Sequence, residues 1–299
     1  MPAEEDLQRK EGNVMAYDKI SGFADEIAEA IDTQFEVLHK LHIGYFEPRG
    51  IDGKNIASLS EEEAVALKGK MDQHGIKVSS IGSPIGKIKL EDDFEAHYEK
   101  FQHVVKIAKI LGTRYIRMFS FYHNGGSEWT AEEREGVLER LKRMIAYAKE
   151  QDVVLLHENE KDIYGDTADR CIDLMKELSC SNFRAVFDPA NFVQSGQDTK
   201  YAYENLKDYI EYMHIKDAVY GSGRVVPAGS GDGNVEYVLK NLFDGGYKGF
   251  LSLEPHLGSF AGLADLELDD KMENLPQGGE GTFTLAYRAL CEILEKIGQ

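Results

Sequence analysis

Four segments of the sequence end an apolar run on a polar side chain: Val153-Val-Leu-Leu-His-Glu158, Val186-Phe-Asp188, Met213-His214-Ile-Lys216 and Leu251-Ser-Leu-Glu254. A parallel strand buried on both faces reads as nearly continuous Val, Ile and Leu, so a carboxylate or imidazole that closes one needs a reason. Three acids, Glu158, Asp188 and Glu254, raise one another's pKa values when they stand close together. A divalent cation removes that conflict, and oxygen ligands with one imidazole, His214, suit Mn, Co, Mg or Zn. The set contains no thiolate, which argues against a closed structural zinc site. Those residue types together read as an open catalytic site for one divalent metal ion.

Dozens of residues separate these side chains, so only converging strand ends can bring them together. Short β-rich runs alternate with longer amphipathic patterns along nearly the whole chain, the signature of βα units with parallel strands. Eight runs stand out: Lys19–Phe23, Gly44–Pro48, Lys77–Ile81, Tyr115–Phe119, Val153–Glu158, Phe183–Asp188, Tyr212–Lys216 and Gly249–Glu254. Between them, helical spacing of Phe94, Tyr98, Phe101, Val105 and Ala108 predicts a helix over Asp92–Leu111, and Val137, Leu141, Ile145 and Ala148 predict one over Glu132–Lys149. Gly75, Gly112 and Gly246 stand just before strands, where a left-handed helix cap is expected. Eight such units predict an α/β protein of the (β/α)8 TIM barrel class, whose active sites lie at the C-terminal ends of the strands. The first strand lacks a GxGxxG turn, so dinucleotide binding loses its main support. Residues 1–14 read as a mobile tail, and 15–299 as one barrel domain. Ser120–Thr130 after strand four and Pro255–Gly281 after strand eight are long enough to serve as lids.

Among 299 residues, 53 Asp+Glu against 34 Lys+Arg leave a formal charge of −19. That excess disfavours nucleic acid, whose binding rests on Lys and Arg neutralising phosphates, and disfavours an anionic membrane surface as well. The cysteines Cys171, Cys180 and Cys291 cannot all pair and none sits in a CxxC spacing, which points to a reducing compartment. The charged stretch from Glu4 to Glu11 lacks the apolar segment of a secretory signal, so a cytoplasmic location is expected.

The segments His157-Glu-Asn-Glu160, Phe187-Asp-Pro-Ala-Asn191, Met213-His-Ile-Lys-Asp217 and Leu253-Glu-Pro-His256 resemble those of the xylose-isomerase-like TIM barrel superfamily, over about Ile20 to Ile297. That superfamily holds sugar-phosphate isomerases and epimerases, ketose 3-epimerases, inosose dehydratases and endonuclease-IV-like enzymes. The resemblance implies that Glu158, Asp188, His214 and Glu254 ligate the metal, with manganese favoured, and that Glu158 and Glu254 also form the acid/base pair. It implies a small-molecule sugar substrate and association into dimers or tetramers. The implied reaction is metal-dependent isomerisation or epimerisation of a ketose or polyol through an enediolate; the alternatives are a lyase of the inosose dehydratase type and a barrel that binds sugar or metal without turnover. Two departures point away from a ketose 3-epimerase. Asn191 stands where those enzymes carry a His, and Tyr220 where they carry an Arg, the nearest Arg here being Arg224. Glu47, Arg49, Ser79, Ser80 and Ser83 replace the extra histidines of the endonuclease-like branch.

Six residues around the centre are candidate substrate contacts: Arg117, Glu160, Asn191, Lys216, Arg224 and His256. Arg117, a charge inside a strand, reads first as a brace for Glu158 or Glu160. Lys216 shares a strand face with His214. Asp217 reads equally as a partner of His214 or as a loop anchor. Tyr122, His123 and Trp129 suit the packing of a lid, with coverage of a sugar ring as the other reading. Gly229-Ser-Gly-Asp-Gly233 lies where barrels often hold phosphate, but Asp232 makes a tight turn the better reading. His39, His42, His74, His97 and His103 are expected on helices, as surface or packing residues.

Overall fold

Eight parallel strands appear in the order the sequence predicts: β1 (Ile20–Gly22), β2 (Tyr45–Phe46), β3 (Lys77–Val78), β4 (Tyr115–Met118), β5 (Val154–Glu158), β6 (Phe183–Phe187), β7 (Ile210–Ile215) and β8 (Phe250–Leu253). The coordinates are a computed structural model describing residues 17–125, 128–258 and 278–299, so the expected N-terminal tail and residues 259–277 of the loop after β8 lie outside the described residues. Six strands form one curled sheet in the order β1-β8-β7-β6-β5-β4, and β2 pairs with β3. Two joints close the ring. The Glu47 amide donates to the Gly22 carbonyl at 2.9 Å, tying β2 to β1, and Ile81 pairs with Ile116, tying the end of β3 to β4. The fold is a TIM barrel.

The helices are α1 (Ile31–Lys40), α2 (Glu61–His74), α3 (Phe94–Leu111), α4 (Ala131–Glu150), α5 (Ala168–Leu178), α6 (Pro189–Gln194), α7 (Thr199–Leu206), α8 (Val235–Asp244) and α9 (Glu280–Ile297). Local chemistry sets their ends. Ser60 with Glu63 and Thr130 with Glu133 form reciprocal capping boxes on α2 and α4, satisfying first-turn amides that have no partner inside the helix. Gly75 and Gly112 cap α2 and α3 at φ 65° and 82°, and Gly246 takes φ 83° one residue after the cap of α8. The buried seam of α3 runs through Phe101, Val104, Val105, Ile107, Ala108 and Leu111, while the predicted Phe94 and Tyr98 only flank the core. His42 departs from expectation, lying past the end of α1 at φ 56°.

Two short antiparallel ladders rise above the barrel rim, Gly50–Ile51 with Lys54–Asn55 after β2 and Asp217–Ala218 with Val225–Val226 after β7. No helix among the described residues is long and apolar enough to cross a membrane.

His97 of α3 is a packing residue with a titration consequence. Its Nε2 accepts the Gly86 amide at 2.8 Å, so that nitrogen must be unprotonated. Burial, helped by Lys100 and Arg140, pushes its pKa down to about 4. The unfolded chain takes up this proton near pH 6.5 and the native state only near pH 4. Stability from His97 is therefore full above pH 6.5 and is lost as pH falls toward 4, by up to about 3 kcal/mol. Urea melts of the native chain and His97→Gln at pH 7.5 and 5 should show a larger loss for the native chain; equal losses would refute the assignment.

Candidate functional site

At the C-terminal ends of β5 to β8, each proposed ligand is placed by its own element. Glu158 is the last residue of β5 and is buried with the rest of that strand. Asp188 follows β6 and caps α6, where Pro189 at the first helical position presets the turn. Its Oδ1 accepts the Asn191 amide at 2.8 Å, which leaves Oδ2 toward the barrel axis. His214 lies in β7 opposite Ser252 of β8, and Glu254 stands two residues beyond that pair.

One ligand atom from each of Glu158, Asp188, His214 and Glu254 fits within a group no more than 4.8 Å across, and all four residues are buried. The carboxylates converge on a single nitrogen. His214 Nδ1 lies 2.8 Å from Glu158 Oε1, 3.3 Å from Glu254 Oε2 and 3.9 Å from Asp188 Oδ2. One N–H can serve one acceptor well, and Asp188 Oδ2 has only an ion-pair contact, the Lys216 ammonium at 3.1 Å and off hydrogen-bond geometry. A divalent cation would satisfy all three carboxylates together, so the donor set fits an ion of the oxygen-preferring class.

The charges carry the same strain. Burial alone would raise Glu158, but His214 and Arg117 hold it well below the usual carboxylate range. Burial likewise opposes ionisation of Glu254, and Lys216, His256 and His214 more than offset it. Asp188 goes the other way: burial lifts it to about 7 against the pull of Lys216, with Glu254 and Glu158 adding repulsion. Burial opposes the charge of all three acids, and in Asp188 the pull of Lys216 does not offset it.

Two arginines grip the outer carboxylate oxygens. Arg117 Nη1 donates to Glu158 Oε2 at 3.1 Å, and Arg49 Nη1 lies 3.4 Å from Glu254 Oε1. Asp25 receives Arg49 in a two-pronged pair at 2.8 and 3.2 Å, with Glu26 at 3.3 Å. Both guanidinium groups lie over the Phe23 ring, 4.4 and 5.0 Å from its centroid, and the same ring meets His214 edge-on. Each glutamate thus has a held outer oxygen and an inner oxygen turned to the shared centre.

Among the other residues expected at the site, Lys216 Nζ lies 3.1 Å from both Asp188 Oδ2 and Glu254 Oε2. Asn191 Nδ2 donates to Glu158 Oε1 at 3.3 Å and to the Asn159 carbonyl at 2.9 Å. His256 Nε2 is 3.4 Å from Glu254 Oε1 and 3.5 Å from Glu26 Oε1, and its backbone takes φ 44°. Glu160 stands further out, half-buried and paired with Lys87 at 3.2 Å. Arg224 lies exposed on the connection after β7, just before the Val225–Val226 strand.

Asp217 anchors the glycine-rich loop. Its carboxylate accepts the amides of Ala218, Gly229, Gly231 and Gly233 at 2.8 to 3.0 Å, filling the cradle that an anion would otherwise take. Asp232 accepts the Tyr220 amide, so the tight-turn reading describes this loop. His123 and Trp129 of the fourth loop meet edge to face at 4.9 Å, and Trp129 meets Tyr164 of the segment after β5 at 5.2 Å, the packing arrangement expected of a lid.

Sequence reasoning missed four residues of this centre, Phe23, Asp25, Glu26 and Asn159, and named Glu47 and Arg49 only as replacements for absent ligands rather than as partners. Glu47-Pro-Arg49 carries the signal that picked out the four ligands, a charged residue at a strand end. Asn159 sits beside Glu158 and exchanges two hydrogen bonds with the Asp188 backbone, both 2.9 Å, locking the ends of β5 and β6 together.

Sequence comparison places the chain among known proteins. The model of the xylose isomerase-like TIM barrel family matches residues 35–276. The chain belongs to that family. Among curated proteins it is similar to a 3-dehydroshikimate dehydratase of Bacillus anthracis, 24% identical over 130 residues that cover 44% of this chain and 46% of that protein. The match therefore spans less than half of that relative's length. Solved structures with the same barrel include a D-tagatose 3-epimerase-like protein, 16% identical with a TM-score of 0.72 over 94% of this chain and 98% of that one. An IOLI protein holding zinc gives 15%, 0.71, 93% and 99% for the same measures. A xylose isomerase-like barrel from Mycobacterium smegmatis in complex with magnesium gives 15%, 0.68, 94% and 98%. At these identities the likeness is one of fold.

Proposed function

We propose that this xylose isomerase-like barrel is a divalent-metal-dependent enzyme that removes a proton next to a carbonyl of a small ketose or polyol and returns it, giving isomerisation or epimerisation. One observation carries the reading: three buried carboxylates from three strands converge on His214 Nδ1, and Asp188 Oδ2 meets the Lys216 ammonium at 3.1 Å without hydrogen-bond geometry. Glu158, Asp188, His214 and Glu254 would hold the ion, and manganese is favoured for a set of three oxygens and one imidazole. When bound, the ion supplies Lewis acidity that lowers the cost of developing enediolate charge.

The chain's own groups do the proton work. Glu158 and Glu254 are the acid/base pair, one taking the proton and the other giving it back. Arg117 and Arg49 fix their outer oxygens, so neither carboxylate swings away from the reacting carbon. Lys216 donates to Glu254 and pairs with Asp188 at 3.1 Å, which leaves at least one of its three N–H groups for a substrate oxygen.

Lys216 also favours a second reading. An ammonium beside a base can protonate a departing hydroxyl, which turns proton removal into dehydration, and the curated relative named above is a dehydratase. Product mass separates the two, because only elimination loses water. The test is incorporation of solvent deuterium at the carbon next to the carbonyl across a panel of ketoses, inososes and dehydroshikimate. Exchange should vanish after chelation and return with manganese; undiminished exchange in the metal-free protein overturns the proposal.

A further inference from the structure

Behind the candidate centre, the barrel interior holds a polar layer that the proton chemistry does not use. Glu47 is fully buried at the end of β2. Its Oε2 accepts the Tyr212 hydroxyl at 2.8 Å and the Ser252 hydroxyl at 2.7 Å. Ser79 Oγ lies 2.8 Å from the Tyr212 hydroxyl and 2.6 Å from Ser21 Oγ, so a chain of hydroxyls from β1, β3, β7 and β8 ends on this one carboxylate. On the other side, Glu47 Oε2 is 3.4 Å from His214 Nε2, the nitrogen facing away from the three acids. Glu47 Oε1 and His214 Nε2 are both buried and both without a hydrogen-bond partner. The ring nitrogen and the carboxylate thus stand 3.4 Å apart at their nearest atoms, with polar capacity unused on both sides.

The chemistry of the imidazole makes this contact directional. A neutral histidine has one N–H and one lone pair, and a carboxylate can only accept. Without a cation, Nδ1 must carry a proton to meet Glu158 at 2.8 Å; with a cation among the acids, Glu47 beside Nε2 favours the proton on Nε2 and the lone pair on Nδ1. Tyr212 and Ser252 each donate to Oε2, so their protons hold Glu47 in place while Oε1 stays available to the ring.

We infer that Glu47 is a positioning residue: it accepts a hydrogen bond from the Nε2–H of His214 and so keeps the Nδ1 lone pair aimed at the cation site. The inference rests on the metal reading above and extends it to a group 165 positions from its hydroxyl partner Tyr212 in sequence. Nothing in it requires Glu47 to touch substrate.

The experiment uses zinc, which is diamagnetic, on the full chain. In the zinc-loaded native protein, proton NMR should show a slowly exchanging, strongly downfield imidazole N–H, assigned to His214 by its absence in His214→Asn. In Glu47→Gln that resonance should move upfield, and zinc affinity by calorimetry should fall about 10- to 100-fold, the usual effect of losing the partner of a ligating histidine. Glu47→Asp keeps an acceptor at slightly greater distance and should give an intermediate shift and affinity; it serves if Glu47→Gln does not fold. Native-like zinc affinity and an unmoved resonance in a folded variant overturn the inference. Failure of the native chain itself to bind zinc, manganese, cobalt or magnesium would instead overturn the metal reading.

Discussion

Replacing Asp188 with Asn is expected to weaken divalent-metal binding by on the order of 100- to 1,000-fold while leaving the fold intact. The substitution separates two tasks that one side chain performs. Oδ1 caps α6 through the Asn191 amide, and Asn caps a helix about as well as Asp. Oδ2 faces Lys216 and His214 and contributes charge, which Asn lacks. Thermal melting should therefore move little, whereas Asp188→Ala, which loses the cap as well, should cost about 1 kcal/mol more. The metal-free protein adds a sign to the expectation. Burial already lifts Asp188 to about 7, so near neutral pH much of its charge is absent until a cation arrives. Metal binding to the native chain should thus release protons near pH 6 to 7, and the release should shrink in Asp188→Asn. Calorimetry in buffers of different ionisation enthalpy reads both quantities at once. An Asn variant that binds manganese as the native chain does would remove Asp188 from the ligand set.

Eight alternating βα units made the barrel legible, and polar residues closing four of its apolar runs made the site legible; the burial of Glu158, Asp188, His214 and Glu254 agrees with that reading. What lay beyond reach was pairing across the barrel. Arg49 meets Glu254 over 205 positions, and Tyr212 meets Glu47 over 165. No periodicity carries that information, because it follows from how eight strands tilt and close. Phe23 shows the limit well: in sequence it is one more apolar residue after β1, and only in three dimensions does its ring carry Arg49 and Arg117 together. The ladders after β2 and β7 escaped notice for a different reason. Lys54–Asn55 is exposed and polar, and two-residue strands leave no alternation to read. Asp217 was legible as far as its two alternatives, and its four amide partners decide between them in favour of the loop.

The held outer oxygens of Glu158 and Glu254 lead to the sharpest expectation about reaction type. Glu158→Gln and Glu254→Gln, each saturated with manganese so that weaker metal binding does not intrude, should lower α-proton exchange by about 100- to 10,000-fold. The pattern between substrates matters more than the size. In a two-base epimerase each glutamate serves one face, so one variant should lose exchange on one epimer and keep it on the other, and the second variant should do the reverse. In a dehydratase a single base removes the proton, so one glutamate should be required for all exchange while the other affects only loss of the hydroxyl. The environments of the two are not equivalent, which makes the crossed pattern interpretable. Glu158 gives its outer oxygen to Arg117 and its inner one to His214 and Asn191. Glu254 gives its outer oxygen to Arg49 and His256 and its inner one to His214 and Lys216. Lys216 therefore stands on the Glu254 side alone, so if elimination is the reaction, Glu254→Gln should impair departure of the hydroxyl and Glu158→Gln the removal of the proton. Exchange near the native rate in both metal-saturated variants would exclude the glutamates as the acid/base pair.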